Sequence, residues 1–240
     1  NYKDYLSVRI FGNYGSVYAA DSVLNYYPER NLHFKSPILE IGVVGEINYY
    51  KFRPGARSHT FTPYLFLGIN WFYFNPKAKY QDEWINLQAM GTEGQGTTLY
   101  PERKPYSLNS FAIPMGIGIK IALSEHFICH LEWGMRRTFT DYLDDVSTTY
   151  PDPLILATQI DPIAPYLSDP NLLEYNELRN NNIDKWRGDP STKDWYSVIN
   201  LGFSFRFKNK SGHCEGMTPR YRDKIKDYRD NLKSKEKIRF

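Results

Sequence analysis

The sequence predicts an all-β fold: a small transmembrane antiparallel β-barrel, eight-stranded when complete, with long extracellular loops and a C-terminal periplasmic helical tail. Three features predict it. Apolar and polar residues alternate with period two over stretches of about ten residues, as a wall between two environments requires. The connections alternate long and short. Tyrosine (20) and phenylalanine (14) are abundant and gather near strand ends, as aromatic girdles at bilayer interfaces do.

Six strand segments follow in order, near residues 4–18, 37–52, 60–74, 109–123, 127–140 and 195–208. The third is the clearest: Phe61, Leu65, Leu67, Ile69, Trp71 and Tyr73 alternate with Thr62, Tyr64, Gly68 and Asn70. In the fourth, Phe111, Ile113, Met115, Ile117, Ile119 and Ile121 alternate with Ser110, Ala112, Pro114, Gly116, Gly118 and Lys120. One face is apolar and the other small or charged. The same period would suit a soluble β-sandwich or a lipocalin-like barrel with the apolar face inside.

The connections favour the membrane wall. Arg53–His59 and Ser124–His126 are short, whereas the stretches to Ser36, from Asn75 to Leu108 and from Asp141 to Asp194 are long. Outer-membrane barrels sort periplasmic turns and extracellular loops this way. The first strand then runs outward, the last runs inward, and the chain after Phe207 is periplasmic. Six strands are fewer than the eight of the smallest single-chain barrels, and unpaired edges in lipid cost several kcal/mol per group. Two further strands are therefore expected before Asn1, with assembly from several chains as the other repair.

Composition is compatible with this reading. The chain of 240 residues is 41% hydrophobic with a mean hydropathy of −0.57, and no run reaches the roughly 20 apolar residues of a membrane helix. Barrel strands dilute hydropathy because every second residue faces inward. Asn1 opens without a basic or apolar leader, so any secretion signal is expected upstream or removed. The net charge of +3 is too small to suggest a nucleic-acid partner.

Following the alternation inward selects a lumen charge set of Arg9, Glu40, Glu46, Lys120, His130, Glu132, Arg136 and Arg206. In a narrow barrel such a set reads as a plug of paired charges, since an unpaired charge there is costly. A proton or ion path is the functional alternative.

The chain divides into a barrel over 1–208 and a basic periplasmic tail over 209–240. In the tail, Tyr221, Ile225, Tyr228 and Leu232 recur at helical spacing behind Thr218 and Pro219, a cap and a first-turn proline. Eleven lysines and arginines face five acids between Lys208 and Phe240. The narrow apolar seam suits a groove on a protein partner, a membrane surface or a solvated tail. Candidate partner-binding residues are Tyr221, Ile225, Tyr228 and Leu232 for docking and Arg220, Arg222, Lys224 and Lys226 for charge. Cys214 is a candidate for a disulfide to a partner. Cys129 points toward lipid on the alternation.

Other motifs carry less. Asp141, Asp144 and Asp145 in TDYLDDVS cluster oxygens as a calcium loop does, but the glycine and closing glutamate of an EF-hand are missing; a structured turn at the outer rim is expected. GTEGQG at 91–96 follows no strand-to-helix pattern and reads as a tight loop. Asn180, Asn181, Asn182, Trp186, Arg187, Gly188 and Asp189 end the longest loop and name no ligand. No serine has an elbow motif and only His33 falls in an outer loop, so no enzyme, cofactor or metal is expected.

Several segments resemble the outer-membrane β-barrel component of the type IX secretion and gliding machinery, the PorG-like family: FTPYLFLGINWFYFNPKAKY at 61–80, LQAMGTEGQG at 87–96, FAIPMGIGIKIALSEHF at 111–127 and LEWGMRRTFTDYLDDVSTTYPD at 131–152. TFTDYLDDVSTTY at 138–150 is the most specific string. The resemblance implies a structural role in the Gram-negative outer membrane, associated with a periplasmic ring made by a lipoprotein and its partner. A passive barrel for ligand binding or slow diffusion, and a surface adhesin, are the competing expectations.

Overall fold

The computed structural model describes residues 5–24, 30–55, 58–172 and 182–205. In chain order the strands are β1 (Leu6–Ala20), β2 (His33–Asn48), β3 (Phe61–Phe74), β4 (Lys77–Tyr80), β5 (Glu83–Asn86), β6 (Asn109–Ala122), β7 (Phe127–Thr138) and β8 (Trp195–Phe205). Among the described residues, four short helices sit between them: α1 (Asp21–Leu24), α2 (Leu87–Met90), α3 (Pro153–Gln159) and α4 (Ala164–Ser168). Among the described residues no helix is long and apolar enough to cross a membrane, which leaves strand crossing open.

The six long strands form one antiparallel ladder in the order β1-β2-β3-β6-β7-β8, and the β4-β5 hairpin joins it where Lys77 pairs Lys35. Register is continuous across most of its width: Leu6 pairs Ile47, Ile47 pairs Leu65, Leu65 pairs Ile117, Ile117 pairs Trp133 and Trp133 pairs Ile199. The β3–β6 ladder breaks between Leu67–Met115 and Asn70–Ala112. Pro114 lies in that gap and has no N–H to donate.

The sequence period becomes two faces. Outward stand Val8 and Ile10 (74% and 75% exposed), Ile41, Val43, Leu67, Ile69, Ile117, Leu131 and Ile199 (74%). Among the described long strands the only charges on this face are Lys35 and Arg137, both at the end that carries the long loops. Aromatic residues bracket the aliphatic band: Tyr14, Tyr18, Trp71, Phe111 and Trp195 toward the long loops, and Tyr49, Tyr50, Phe61, Phe127, Phe203 and Phe205 toward the short turns, all exposed.

The inward face departs from the small or charged character expected. Phe66, Phe72 and Phe74 point inward and are buried. Phe72 and Phe74 pack with Ile38, Ala112, Tyr196 and Leu143, and Tyr106 stacks on Phe74. Leu143 and Tyr106 come from the long connections, which fold over this end of the sheet and bury it. Apolar residues are stable there for the ordinary reason of burial.

These long connections carry regular structure of their own. The 75–108 connection contains β4, β5 and α2, and the 141–194 connection contains α3 and α4. Asp152 caps α3 by accepting from Leu154 N at 2.9 Å, with Pro153 in the first turn. Among the described residues the sheet counts eight strands, but two are the short β4 and β5, and β1 and β8 share no ladder, so the described sheet is open.

Candidate functional site

The inward face carries two carboxylate-centred clusters. Nearer the short turns, Glu46 of β2 accepts from Ser7 Oγ at 2.7 Å, from Arg9 Nε at 2.7 Å and from Lys120 Nζ. Arg9 also donates through Nη2 to Glu132 of β7 at 2.6 Å. Glu132 further accepts from Tyr64 Oη at 2.8 Å and Asn200 Nδ2 at 3.1 Å. One arginine thus joins two glutamates held by strands that are not neighbours in the ladder. Charge-assisted bonds of this length are the strong ones.

Nearer the long loops, Glu40 of β2 accepts from Asn13 Nδ2 and Asn70 Nδ2 at 2.7 Å each, from Tyr196 Oη at 2.9 Å and from Arg136 Nη2 at 3.3 Å. Glu40 and Arg136 are 2% and 1% exposed. The Arg136 guanidinium also lies 6.0 Å from the Phe11 ring centre. Close packing makes room for it: a Cβ on Gly134 would lie 2.3 Å from Arg136 Nη1 and 2.6 Å from Phe66.

Of the charge set read from the sequence, the structure brings Arg9, Glu46, Glu132 and Lys120 into one cluster and Glu40 and Arg136 into the other. Three cations meet three carboxylates, so the described interior is balanced. His130 stands beside them with its ring against Gly202, whose added Cβ would fall 2.2 Å from Nε2. Arg206 lies outside the described residues, as do Cys214, Arg220, Tyr221, Arg222, Lys224, Ile225, Lys226, Tyr228 and Leu232. Cys129 is a free thiol on the outward side of β7.

Sequence reasoning missed Ser7, Asn13, Tyr64, Asn70, Tyr196 and Asn200, the neutral groups that saturate the glutamates. Their signal was phase: each falls on the same face as the charges it serves.

A second polar centre lies in the cap formed by the long connections. Glu93 of the GTEGQG loop is fully buried and accepts from Ser147 N, Thr148 N, Thr148 Oγ1 and Arg187 Nη1. Asp145 accepts from Tyr106 Oη at 2.6 Å and from Thr92 Oγ1, and pairs with Arg187 Nη2 at 3.5 Å. Arg187 is 3% exposed and also donates to the Asp145 and Ser168 carbonyls. Asp145 has φ 68°, a left-handed backbone that aspartate tolerates better than most residues.

Burial works against the Arg187 charge, yet Asp145 and Glu93 beside it hold its pKa above the ordinary arginine value. Burial lifts Asp145 to about 7 against the opposing pull of Arg187. Burial and the nearby Asp194 lift Asp144 to about 7, and burial lifts Asp194 to about 6. The three aspartates of TDYLDDVS therefore serve a structured turn in the cap, each accepting a hydrogen bond from a Ser, Thr or Tyr hydroxyl or from the backbone. Among the described residues no three histidine, cysteine or acidic side chains converge as a metal site.

Residues 9–154 match a family described as a domain of unknown function, DUF6089. No curated protein and no solved structure matches the chain.

Proposed function

The chain belongs to the DUF6089 family, and from that premise, the two-faced wall and the sequence resemblance we propose that it is a small outer-membrane β-barrel with a structural task. That task is to anchor or organise the periplasmic, lipoprotein-containing ring of a type IX protein secretion machine at the Gram-negative outer membrane. The observation that carries the membrane part is the outward band: aliphatic, bracketed by aromatics, and charged only at one rim. From Phe61 to Tyr73, a rise of about 3.3 Å per residue and a tilt of about 45° give a band about 28 Å tall, near the apolar height of such barrels.

The interior supports a structural task over transport. Both clusters bond their carboxylates from several strands at once, so the side chains act as cross-braces of a filled wall. In lipid the free edges of β1 and β8 need partners. These strands run antiparallel to each other, so closure takes an even number of strands between them, either none or two.

The ring-anchoring part rests on the resemblance and on the basic tail, with Tyr221, Ile225, Tyr228 and Leu232 as the docking seam and Cys214 as a covalent reinforcement. The test is a detergent pull-down from outer membranes, comparing the intact chain with one truncated after Lys210. Loss of a periplasmic lipoprotein on truncation supports the tail as anchor. Recovery of the same partners moves the interface to the short turns. Recovery of none, together with steady conductance in planar bilayers, favours a passive diffusion barrel.

A further inference from the structure

Three separated stretches of the chain wall a cleft of about 500 Å³ at the end of the sheet that carries the long loops: residues 31–33 around the start of β2, 78–80 of β4, and 166–171 from α4 onward. Its size is ordinary for a small-molecule site. Neither the carboxylate clusters of the wall nor the Glu93–Asp145–Arg187 centre lines it.

The cleft is held in shape by bonds on each of its sides. Asp21 N donates to the Leu32 carbonyl at 2.9 Å and Leu32 N donates back to Asp21 Oδ2 at 3.0 Å, which fixes the 31–33 stretch. Lys79 N donates to His33 Nε2 at 2.9 Å and ties that stretch to β4. Asp169 Oδ1 accepts from Asn171 N at 3.1 Å and holds the turn after α4. Ala78 and Leu167 are buried with Leu87, and Tyr80 packs against them. A cleft formed in advance loses little ordering entropy on binding.

The lining is selective in its chemistry. Tyr80 and Tyr166 present near-parallel rings, 23° apart with centres separated by 6.2 Å, as one extended aromatic surface. Polar groups stand around it: Asn31, exposed on a left-handed backbone at φ 50°, and His33, whose accepting Nε2 leaves the ring proton on Nδ1. Among the described lining residues the one charge is Lys79, paired with Asp82 at 2.6 Å. Such a cleft offers no free charge to an anion or a cation. Aromatic faces are electron-rich and attract polarised C–H bonds, while amide and imidazole groups exchange hydrogen bonds with hydroxyls. A neutral pyranose supplies both, with C–H bonds on its faces and hydroxyls around its edge. A proline-rich peptide would use the rings and leave most of the polar rim unmatched.

We propose that the cleft binds a neutral sugar, stacked on Tyr80 and Tyr166 and hydrogen-bonded at its edge by Asn31 and His33. The site stands whether or not the wall lies in a membrane.

The test titrates the full chain, in a detergent without a sugar headgroup, with neutral trisaccharides of glucose, galactose and mannose, and reads contact by saturation transfer to the sugar C–H protons. Transfer is expected with at least one of them. Its affinity should fall about tenfold in Tyr166→Ala and stay within about twofold in Tyr166→Phe, which keeps the ring. Asn31→Gly suits the left-handed backbone and should weaken binding about fivefold through one lost hydrogen bond, so it stays informative if Tyr166→Ala fails to fold. Silence with all three sugars, including the case in which a polyproline peptide binds instead, overturns the proposal. Equal affinity in the wild type and in folded Tyr166→Ala, or tighter binding of a uronic-acid trisaccharide, overturns it as well.

Discussion

The Tyr196 hydroxyl of β8 donates to Glu40 Oε2 of β2 at 2.9 Å, across 156 positions of sequence and three intervening strands of the ladder. A flat sheet cannot make that bond, because strands four places apart lie about 19 Å from each other at 4.7–4.9 Å per step. The sheet is curled until its inward side chains meet. Glu40 is the point where four of the six long strands are tied to β2 and to one another.

Replacing Glu40 should therefore cost more than replacing any one of its donors. Glu40→Ala leaves Arg136 buried without its ion-pair partner, a situation worth about 3–5 kcal/mol. Tyr196→Phe removes one neutral donor and should cost about 1 kcal/mol. Urea unfolding in detergent, followed by tryptophan fluorescence, measures both; equal midpoints for the two variants would show that Glu40 is not the hub.

Gly134→Ala tests how tightly the interior is filled. The new methyl would lie 2.3 Å from Arg136 Nη1 and 2.6 Å from the Phe66 ring, so both must move. Overpacking of this kind costs about 1–3 kcal/mol. The same substitution at Gly15, where nothing lies within 4 Å of an added Cβ, serves as the control and should be near neutral. A shift at Gly134 no larger than at Gly15 would mean that the interior yields.

Arg187→Met separates the cap from the wall. The variant leaves Glu93 and Asp145 without their cation, and the cap should become open to protease within 141–194 while the strand circular dichroism stays as it was. Its effect should shrink as pH falls below about 7, because a protonated Asp145 no longer needs the guanidinium. Cleavage that is equally fast in the wild type would place the stability of the cap elsewhere.

The wall was legible because a strand sorts side chains every second residue, and Phe61 through Phe74 announces both faces at once. Arg9, Glu46, Lys120 and Glu132 could be chosen as inward charges for the same reason. Tyr64 and Tyr196 sat in the same phase, yet a tyrosine reads equally well as an interface residue, so their role with the glutamates stayed hidden. The cap was opaque for a different reason. Arg187 is 94 positions from Glu93 and 42 from Asp145, and no period links residues brought together by two separate connections. The glycines of GTEGQG announced a tight loop, with Gly94 at φ 87° and Gly96 at φ 80°, but nothing in the local pattern marked Glu93, just before Gly94, as the centre of a buried network.

The membrane reading is decided by a charge placed on the outward band. Leu67 is 60% exposed, pairs Gly45 and Met115 with the aliphatic residues of its face, and lies well away from both aromatic brackets. In a soluble protein Leu67→Arg would remove exposed apolar surface at a site with room for the new side chain, with an effect near zero. In a lipid-facing wall it should cost about 2–4 kcal/mol, falling to about 0–1 kcal/mol for Tyr73→Arg near the rim. Reversible folding into phospholipid vesicles gives both numbers. A depth-dependent penalty follows from lipid contact alone, since both substitutions change the same face of the same strand, and equal, small effects at both positions would make the outward band a surface for some other apolar partner.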